Sequence, residues 1–543
     1  TLKLNYKERV LYDTGSDLRV EGISMDPLGH SVSFKTKYDD VKGINESAIA
    51  YRGRAYDLSR TPGRPIRVLG IETENLQDIS WYRSDFSEKS LQETLGALDY
   101  PGLPPGIELP HNSKYLEVII RTDKPYRSLQ LVGRVRDKNG RYFSYSFGRL
   151  NSLDWTKMST DIYGKGFSSA TPWLTPVRPL HLVSIGISER DDRRQLEPGW
   201  FQVDQIGVRT DTGNEEILDS FDSKGKWNPL GNNAESVSDT FQYIEDSERL
   251  KGMTGLFAWT AGRPLTSRGI YAGLPLDPLP VLASSNFLEM SGHRVGDDFQ
   301  VTVGGGRISV KINASIDYFP TLDTVKDPWI IADIHSLISL SNLELTSGEI
   351  AVPNEIWVST DFNFEDRDNL VSNLGTDPFL SDVVYDREKI LASTEVDPLM
   401  DAGWLALLII SFVVVLSLSC IGFLLHSFVS LRDREGQFAL LRSMGLSTNQ
   451  LAALIWLEQT LVVIVGLILG SWMGRQVGST IMTFMDHDDT GGRVLPPFTM
   501  DIEWTSLVIT YVMIAIVFSL IISGVLWVVK RQSIQQVLRF GGM

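Results

Sequence analysis

Residues 402–431 read AGWLALLIISFVVVLSLSCIGFLLHSFVSL, thirty consecutive positions without a charged side chain. As a helix this run is about 45 Å long, more than a bilayer's hydrocarbon core requires. A second apolar run, Leu451–Gly474, is broken only by Glu458, and a third, Trp504–Val529, carries no charge. Buried helices of water-soluble domains rarely stay uncharged for so long. The predicted fold class is therefore a membrane protein: an α-helical bundle with spans at about 403–428, 451–478 and 504–529, following a large β-rich α+β domain.

Charge gives this bundle a direction. The connection between the first two spans holds Arg432, Arg434 and Arg442, and the tail after the third holds Lys530, Arg531 and Arg539. The connection between spans two and three, MDHDDTGGRVLPPFTMDIEW, has five acids and one arginine. Basic segments stay in the cytoplasm. The first loop and the C-terminus are thus predicted inside, and the acidic loop and the first 400 or so residues outside. Trp404 and Trp504 fall near the outer ends as interfacial anchors. A fourth helix, upstream of the large domain, is expected as the means of exporting it. Residues 403–543 hold eight basic and eight acidic groups, so the net charge of −16 falls on the first 402. Phosphate needs a basic face, so nucleic acid is not an expected partner. The single cysteine, Cys420, excludes an internal disulfide and a Cys-based metal site.

Two features inside the spans stand out. Gly466, Gly470, Gly474 and Gly478 recur every fourth residue, a stripe along which another helix can approach closely. Glu458 lies roughly 10 Å inside its run and calls for a counter-charge or a route to water.

The loop SLRDREGQFALLRSMGLSTNQLAAL is the most informative stretch. Residues 434–444 read as a helix with Phe438 and Leu441 on one face and Leu440 and Met444 adjacent to it. Gly445 suits the position that ends a helix, and Ser447 with Gln450 forms a capping box opening the second span. Such an amphipathic helix lies on lipid or fills a groove in a cytoplasmic partner; periodicity does not choose between them.

The run REGQFALLRSMGLSTNQL resembles the pattern of FtsX/MacB-type permeases, which have one membrane helix before the outer domain and three after it. The three spans, the glycine-rich second span and the basic tail VVKRQSIQQVLRFGGM are similar too. The resemblance implies that residues 434–445 are a coupling helix docked on an ABC ATPase, a role it assigns to Arg434, Glu435, Phe438, Leu441, Arg442 and Gly445. It also implies a second permease half, by homo- or heterodimerisation. No G-x-x-x-x-G-K-[ST] occurs, and GGGRIS at 304–309 lacks the lysine, so ATP and magnesium belong to the partner. No cofactor is expected in this chain.

The outer domain reads in three sections, 1–104, 105–232 and 233–401, followed by the permease at 402–543. In the first, RVEGISM, AIAYRGRAY and RPIRVLGIE are strands and WYRSDFSEKSLQETLGAL is helical. In the third, VGDDFQVTVGGGRISVKINASIDYFPT alternates apolar and polar residues and turns at Gly304–Gly306. Val295, Gly296, Asp297, Phe319 and Pro320 resemble the corresponding MacB segment. The middle section alternates at sandwich-like spacing. It resembles the jelly-roll carbohydrate-binding modules, with Trp155, Trp173, Trp200 and Trp227 as candidate stacking rings for a glycan or cell-wall partner.

Catalytic chemistry is not evident. There is no G-x-S-x-G and no H-E-x-x-H. The pairs Asp191–Asp192 and Asp297–Asp298 read as solvated turns, and Asp486, His487 and Asp488 as an exposed loop rather than a metal site. The expected function is a permease subunit that converts a partner's ATP hydrolysis into movement of the outer domain. The resemblance implies a lipid, lipoprotein, peptide or drug as cargo, or a cell-wall enzyme as the client. The alternatives are a membrane-anchored carbohydrate-binding or adhesion protein, and a membrane-bound hydrolase.

Overall fold

Period-two alternation builds the N-terminal two-thirds of the chain into sheets, and the uncharged runs build the remainder into long helices. The computed structural model describes residues 2–23, 38–59, 64–87, 89–100, 106–138, 140–164, 175–189, 196–230, 239–245, 252–261, 268–304, 306–343, 351–361, 366–376, 379, 381–394, 398–485, 487, 494–498 and 504–531. The chain divides into two compact units: residues 10–390, and residues 1–9 together with 391–543.

Within residues 10–390, the first strands are β1 (Leu18–Ile23), β2 (Ile44–Asp57) and β3 (Arg64–Ile71). Next come β4 (Ile107–Leu109), β5 (Ser113–Thr122), β6 (Leu129–Arg136), β7 (Tyr142–Arg149), β8 (Thr156–Asp161), β9 (Leu180–Glu189) and β10 (Gly199–Thr210). They are followed by β11 (Glu215–Asp219), β12 (Trp227–Pro229), β13 (Thr240–Glu245), β14 (Met253–Trp259) and β15 (Arg268–Ala272). The last are β16 (Leu279–Ser284), β17 (Asp298–Val303), β18 (Gly306–Ile316), β19 (Trp329–Asp333), β20 (Glu355–Thr360) and β21 (Ser381–Asp386).

One nine-stranded sheet joins the two ends of this unit in the order β17-β18-β16-β19-β3-β2-β20-β1-β21. Because β17 also pairs with β2, its first six strands close into a ring. The inward residues of the ring, among them Val68, Val281, Val301, Val310 and Ile330, form a buried core. Its hairpin β17–β18 turns at Gly304, where φ is +56°. The expected helix at 81–98 is only Leu91–Gly96, capped by Ser90 and Glu93. Upstream, Trp81 and Tyr82 pack edge-on against Phe86 in an aromatic knot that also takes Tyr12. That knot, not a helical face, accounts for their apolar spacing.

β4–β15 form two six-stranded antiparallel sheets, β13-β14-β10-β5-β8 with β11, and β12-β15-β9-β6-β7 with β4. They share one core, to which Leu116, Val118 and Phe201 contribute from one sheet and Leu131, Val135 and Ile185 from the other. These sheets run past residue 232, where the inserted section was expected to end. β13 pairs with β14, β14 with β10, and β15 with β9, which carries the section to Ala272. Alternation has the same period in every sheet, so the pattern alone does not assign a strand to its partners. The helix Ile334–Leu343 ties this pair of sheets to the nine-stranded one. Arg134, buried, donates to the Asn342 carbonyl at 2.7 Å, and Ser184 donates to that of Leu343 at 3.0 Å.

Charge is also buried in the nine-stranded sheet. Glu355 on β20 is gripped by the Arg52 guanidinium, whose Nη2 donates to Oε2 at 3.2 Å while Nε reaches Oε1. Trp357 Nε1 donates to the same carboxylate at 3.2 Å. Burial raises the Glu355 pKa, but the charge and hydrogen bonds of Arg52, with help from Arg19, outweigh it and hold the carboxyl below its usual range.

The second unit contains three helices that are long and apolar enough to cross a membrane. They are span 1 (Pro398–Asp433), span 2 (Thr448–Met485) and span 3 (Trp504–Arg531). A short loop helix, Glu435–Ser443, separates the first two. Spans 1 and 3 meet through Phe423 and Phe518, edge-on at 4.9 Å, and spans 2 and 3 through the hydroxyls of Ser471 and Tyr511. At the end of the bundle away from the loop helix, Tyr6 meets Phe498 edge-on at 6.4 Å.

Candidate functional site

The loop helix is the feature of the membrane unit that its apolar spans do not explain, and its sequence fixes the turn that joins it to span 2. Gly445 takes φ +101°. Leu446 N then donates to the Leu441 carbonyl at 3.2 Å, the six-to-one bond of a Schellman closure. Two residues on, Ser447 Oγ accepts from Gln450 N at 3.3 Å, and Gln450 Oε1 accepts from Ser447 N at 3.0 Å. This reciprocal box starts span 2. The turn between the two helices is therefore held by backbone geometry on each side.

Its apolar residues divide between two faces. Phe438 and Leu441 join an apolar cluster with Leu431 of span 1, Leu451 and Ile455 of span 2, and Val525 and Leu526 of span 3. Leu440 and Met444 are 64% and 73% exposed. At 3.6 residues per turn they lie about 200° and 240° around the helix from Phe438, so they are not part of its face. Phe438 and Leu441 seat the helix on its own bundle, and Leu440 and Met444 point away from it. The helical angles were available from the sequence, but the side that met the spans was not.

Arg434 is the single residue between span 1 and the loop helix. Its Nη1 donates to Glu458 Oε1 at 2.9 Å and Oε2 at 3.1 Å. The acid predicted inside span 2 and the arginine predicted to face a partner therefore hold each other. One residue on, Gln459 Oε1 accepts from Ser427 Oγ at 3.0 Å in a buried contact. The backbones of Glu435 and Arg442 are helical; their side chains lie outside the described residues.

Along span 2, a Cβ added at Gly466, Gly470 or Gly474 would meet none of the described residues within 4 Å. Gly478 follows, half-buried, on the same helix. A parallel feature escaped the sequence reading. Span 3 has a shallow groove along one face, lined by Val512, Ala515, Ile516, Ser519, Leu520 and Ser523. Ala515, Ser519 and Ser523 also recur every fourth residue, a signal that small residues other than glycine would have supplied.

The tryptophans proposed for stacking have different surroundings. Trp227 is 3% exposed, stacks on Phe221 and donates Nε1 to Asp219 at 3.1 Å, so its ring belongs to the core. Trp155 is half-buried with the Arg121 guanidinium 4.8 Å above its ring, and Trp200 is half-buried on β10. Trp173, Asp191, Asp192, Asp486 and Asp488 lie outside the described residues, whereas His487 is exposed. Val295, Gly296 and Asp297 make the turn that leads into β17, and Phe319 is buried. Ser59, Asp57 and His293 come together without forming a catalytic triad. Ser59 Oγ donates to Asp57 at 2.6 Å, and His293 Nε2 faces both groups, at 3.1 Å from Asp57 and 3.2 Å from Ser59. On its other side Nδ1 is 4.0 Å from Asp297, too far for an orienting hydrogen bond. Among the described residues no three His, Cys, Asp or Glu side chains are grouped to hold a metal ion.

Three spans and a loop helix seated against their ends define a multi-pass membrane protein. Residues 409–534 match the family model of the FtsX-like permease C-terminal domain, which takes in the loop helix, span 2, span 3 and most of span 1. This part of the chain is an FtsX-like permease domain. No curated protein matches the chain.

Proposed function

We propose that this chain is the permease subunit of an ABC transporter, driven by ATP and magnesium bound to a separate ATPase. The reading is carried by the loop helix, closed at its C-terminal end by a fixed turn and seated by Phe438 and Leu441, with Leu440 and Met444 left outward. The ATPase docks on that outward face from the cytoplasm, and its closure displaces the loop helix together with the spans. The positive charge of Arg432, Arg434 and Arg442 favours a cytoplasmic loop. The Tyr6–Phe498 contact supports an outer location for the N-terminal residues, at the opposite end of the bundle. The small-residue stripes of spans 2 and 3 are the surfaces on which a second permease half packs. In this reading the outer domain responds to ATP turnover and acts on cargo or on a cell-wall partner.

The test is purification of the full chain from its native membrane, with ATP hydrolysis as the readout. An ATPase is expected to co-purify with the wild type. Leu440→Asp and Met444→Asp each place a carboxylate in the contact and are expected to lower its recovery about tenfold or more, the scale of a central interface residue. Full recovery with both variants would remove the docking assignment.

A further inference from the structure

Arg434 and Glu458 lie 24 residues apart in the sequence and meet across the junction of span 1, the loop helix and span 2. We propose that they are positioning residues: a latch that ties the junction between span 1 and the loop helix to span 2, so that a push on the loop helix moves span 2 instead of being absorbed at the end of span 1. The use of this motion rests on the permease reading; the latch itself does not.

The geometry points to a hinge that needs a lock. At Arg434 helical bonding is incomplete: Arg434 N reaches back only three residues, to Leu431 O at 3.3 Å, before Phe438 N donates to Arg434 O at 3.0 Å. Such a break, left alone, would let the loop helix swing about the end of span 1. Arg434 instead reaches across to Glu458 with one guanidinium nitrogen shared between both carboxylate oxygens. Ser427 and the buried Gln459 tie the same two spans on the other side of the break. Glu458 lies in an otherwise apolar run, where lipid offers a carboxylate no competing cation, and its position favours this partner over water. Both side chains are 45% exposed from the protein.

The latch can be read by thiol labelling of the purified full chain in nanodiscs. Cys420→Ser removes the native thiol, and Leu451→Cys places a new one beneath the loop helix, at a position 5% exposed. Arg434→Gln and Glu458→Gln are each expected to raise the maleimide labelling rate about two- to fivefold, as loss of a half-exposed ion pair allows. The exchanged pair Arg434→Glu with Glu458→Arg should restore the slow rate, and Arg434→Lys should retain it. Unchanged rates in both glutamine variants would overturn the latch, as would an exchanged pair that labels as fast as the single variants. With the co-purified ATPase bound, ATP should change labelling at position 451 in the wild type and not in the glutamine variants. An equal ATP response in those variants would overturn transmission through the pair. Failure of any ATPase to bind the wild type would count against the permease reading, and the labelling rates would still decide the latch.

Discussion

Glu355→Gln is expected to lower the unfolding free energy of the N-terminal domain by about 3–5 kcal/mol, because it leaves the Arg52 guanidinium without its counter-charge inside the sheet. Glu355 has a side chain 3% exposed and Arg52 one of 16%, so water compensates little. Denaturant unfolding followed by tryptophan fluorescence is a suitable measurement, since Trp357 donates to the same carboxylate. The pH dependence provides a second signature. The folded-state pKa of Glu355 lies below its unfolded value, so its contribution is complete above the unfolded value and is lost as pH falls through the folded one. The gap between wild type and variant should therefore be full at neutral pH and close progressively in acid below about pH 4, the ordinary glutamate range. A gap independent of pH would show that packing, not charge, is what the substitution removes.

Phe438→Asp is expected to unseat the loop helix. The ring packs in the cluster built by Leu431, Leu451 and Ile455, and a carboxylate there loses the apolar contact and requires solvation. The cost is roughly 2–4 kcal/mol, which raises the open population of the helix by about 30-fold or more. Cleavage by trypsin after Arg442, measured on the full chain in nanodiscs, should accelerate by the same factor if it proceeds through local opening. Phe438→Leu retains most of the contact and should accelerate cleavage only slightly. An equally small effect of the aspartate would mean that the loop helix is held by its turn alone. Phe438→Asp differs from the substitutions at Leu440 and Met444 in a way that separates seating from docking: it loosens the helix, whereas Leu440→Asp and Met444→Asp leave it seated and remove its partner.

Features set by local sequence are legible in the sequence itself. Ser447 and Gln450 form their box, Gly445 takes the left-handed turn, and the uncharged runs are the long helices. Each of these depends on residues within a few positions of one another or on the composition of one run. Long-range relationships were not readable. Glu458 meets Arg434 from 24 residues away, and Arg52 meets Glu355 across 303. A charge in the sequence shows that a partner is needed without naming it. The same limit explains the misplaced boundary after residue 232, because β13–β15 alternate as any strand does and only pairing with β10 and β9 assigns them to their sheets. It also explains Trp227, whose ring is core because Phe221 and Asp219 enclose it.

An ATPase can reach the loop helix only if that helix faces the cytoplasm. Met444 is exposed at its outward side, so Met444→Cys in a Cys420→Ser background supplies one accessible thiol. A membrane-impermeant maleimide is predicted to leave this thiol untouched in intact cells and to modify it in inverted vesicles. Modification in intact cells would place the loop helix outside, where no ATPase can reach it.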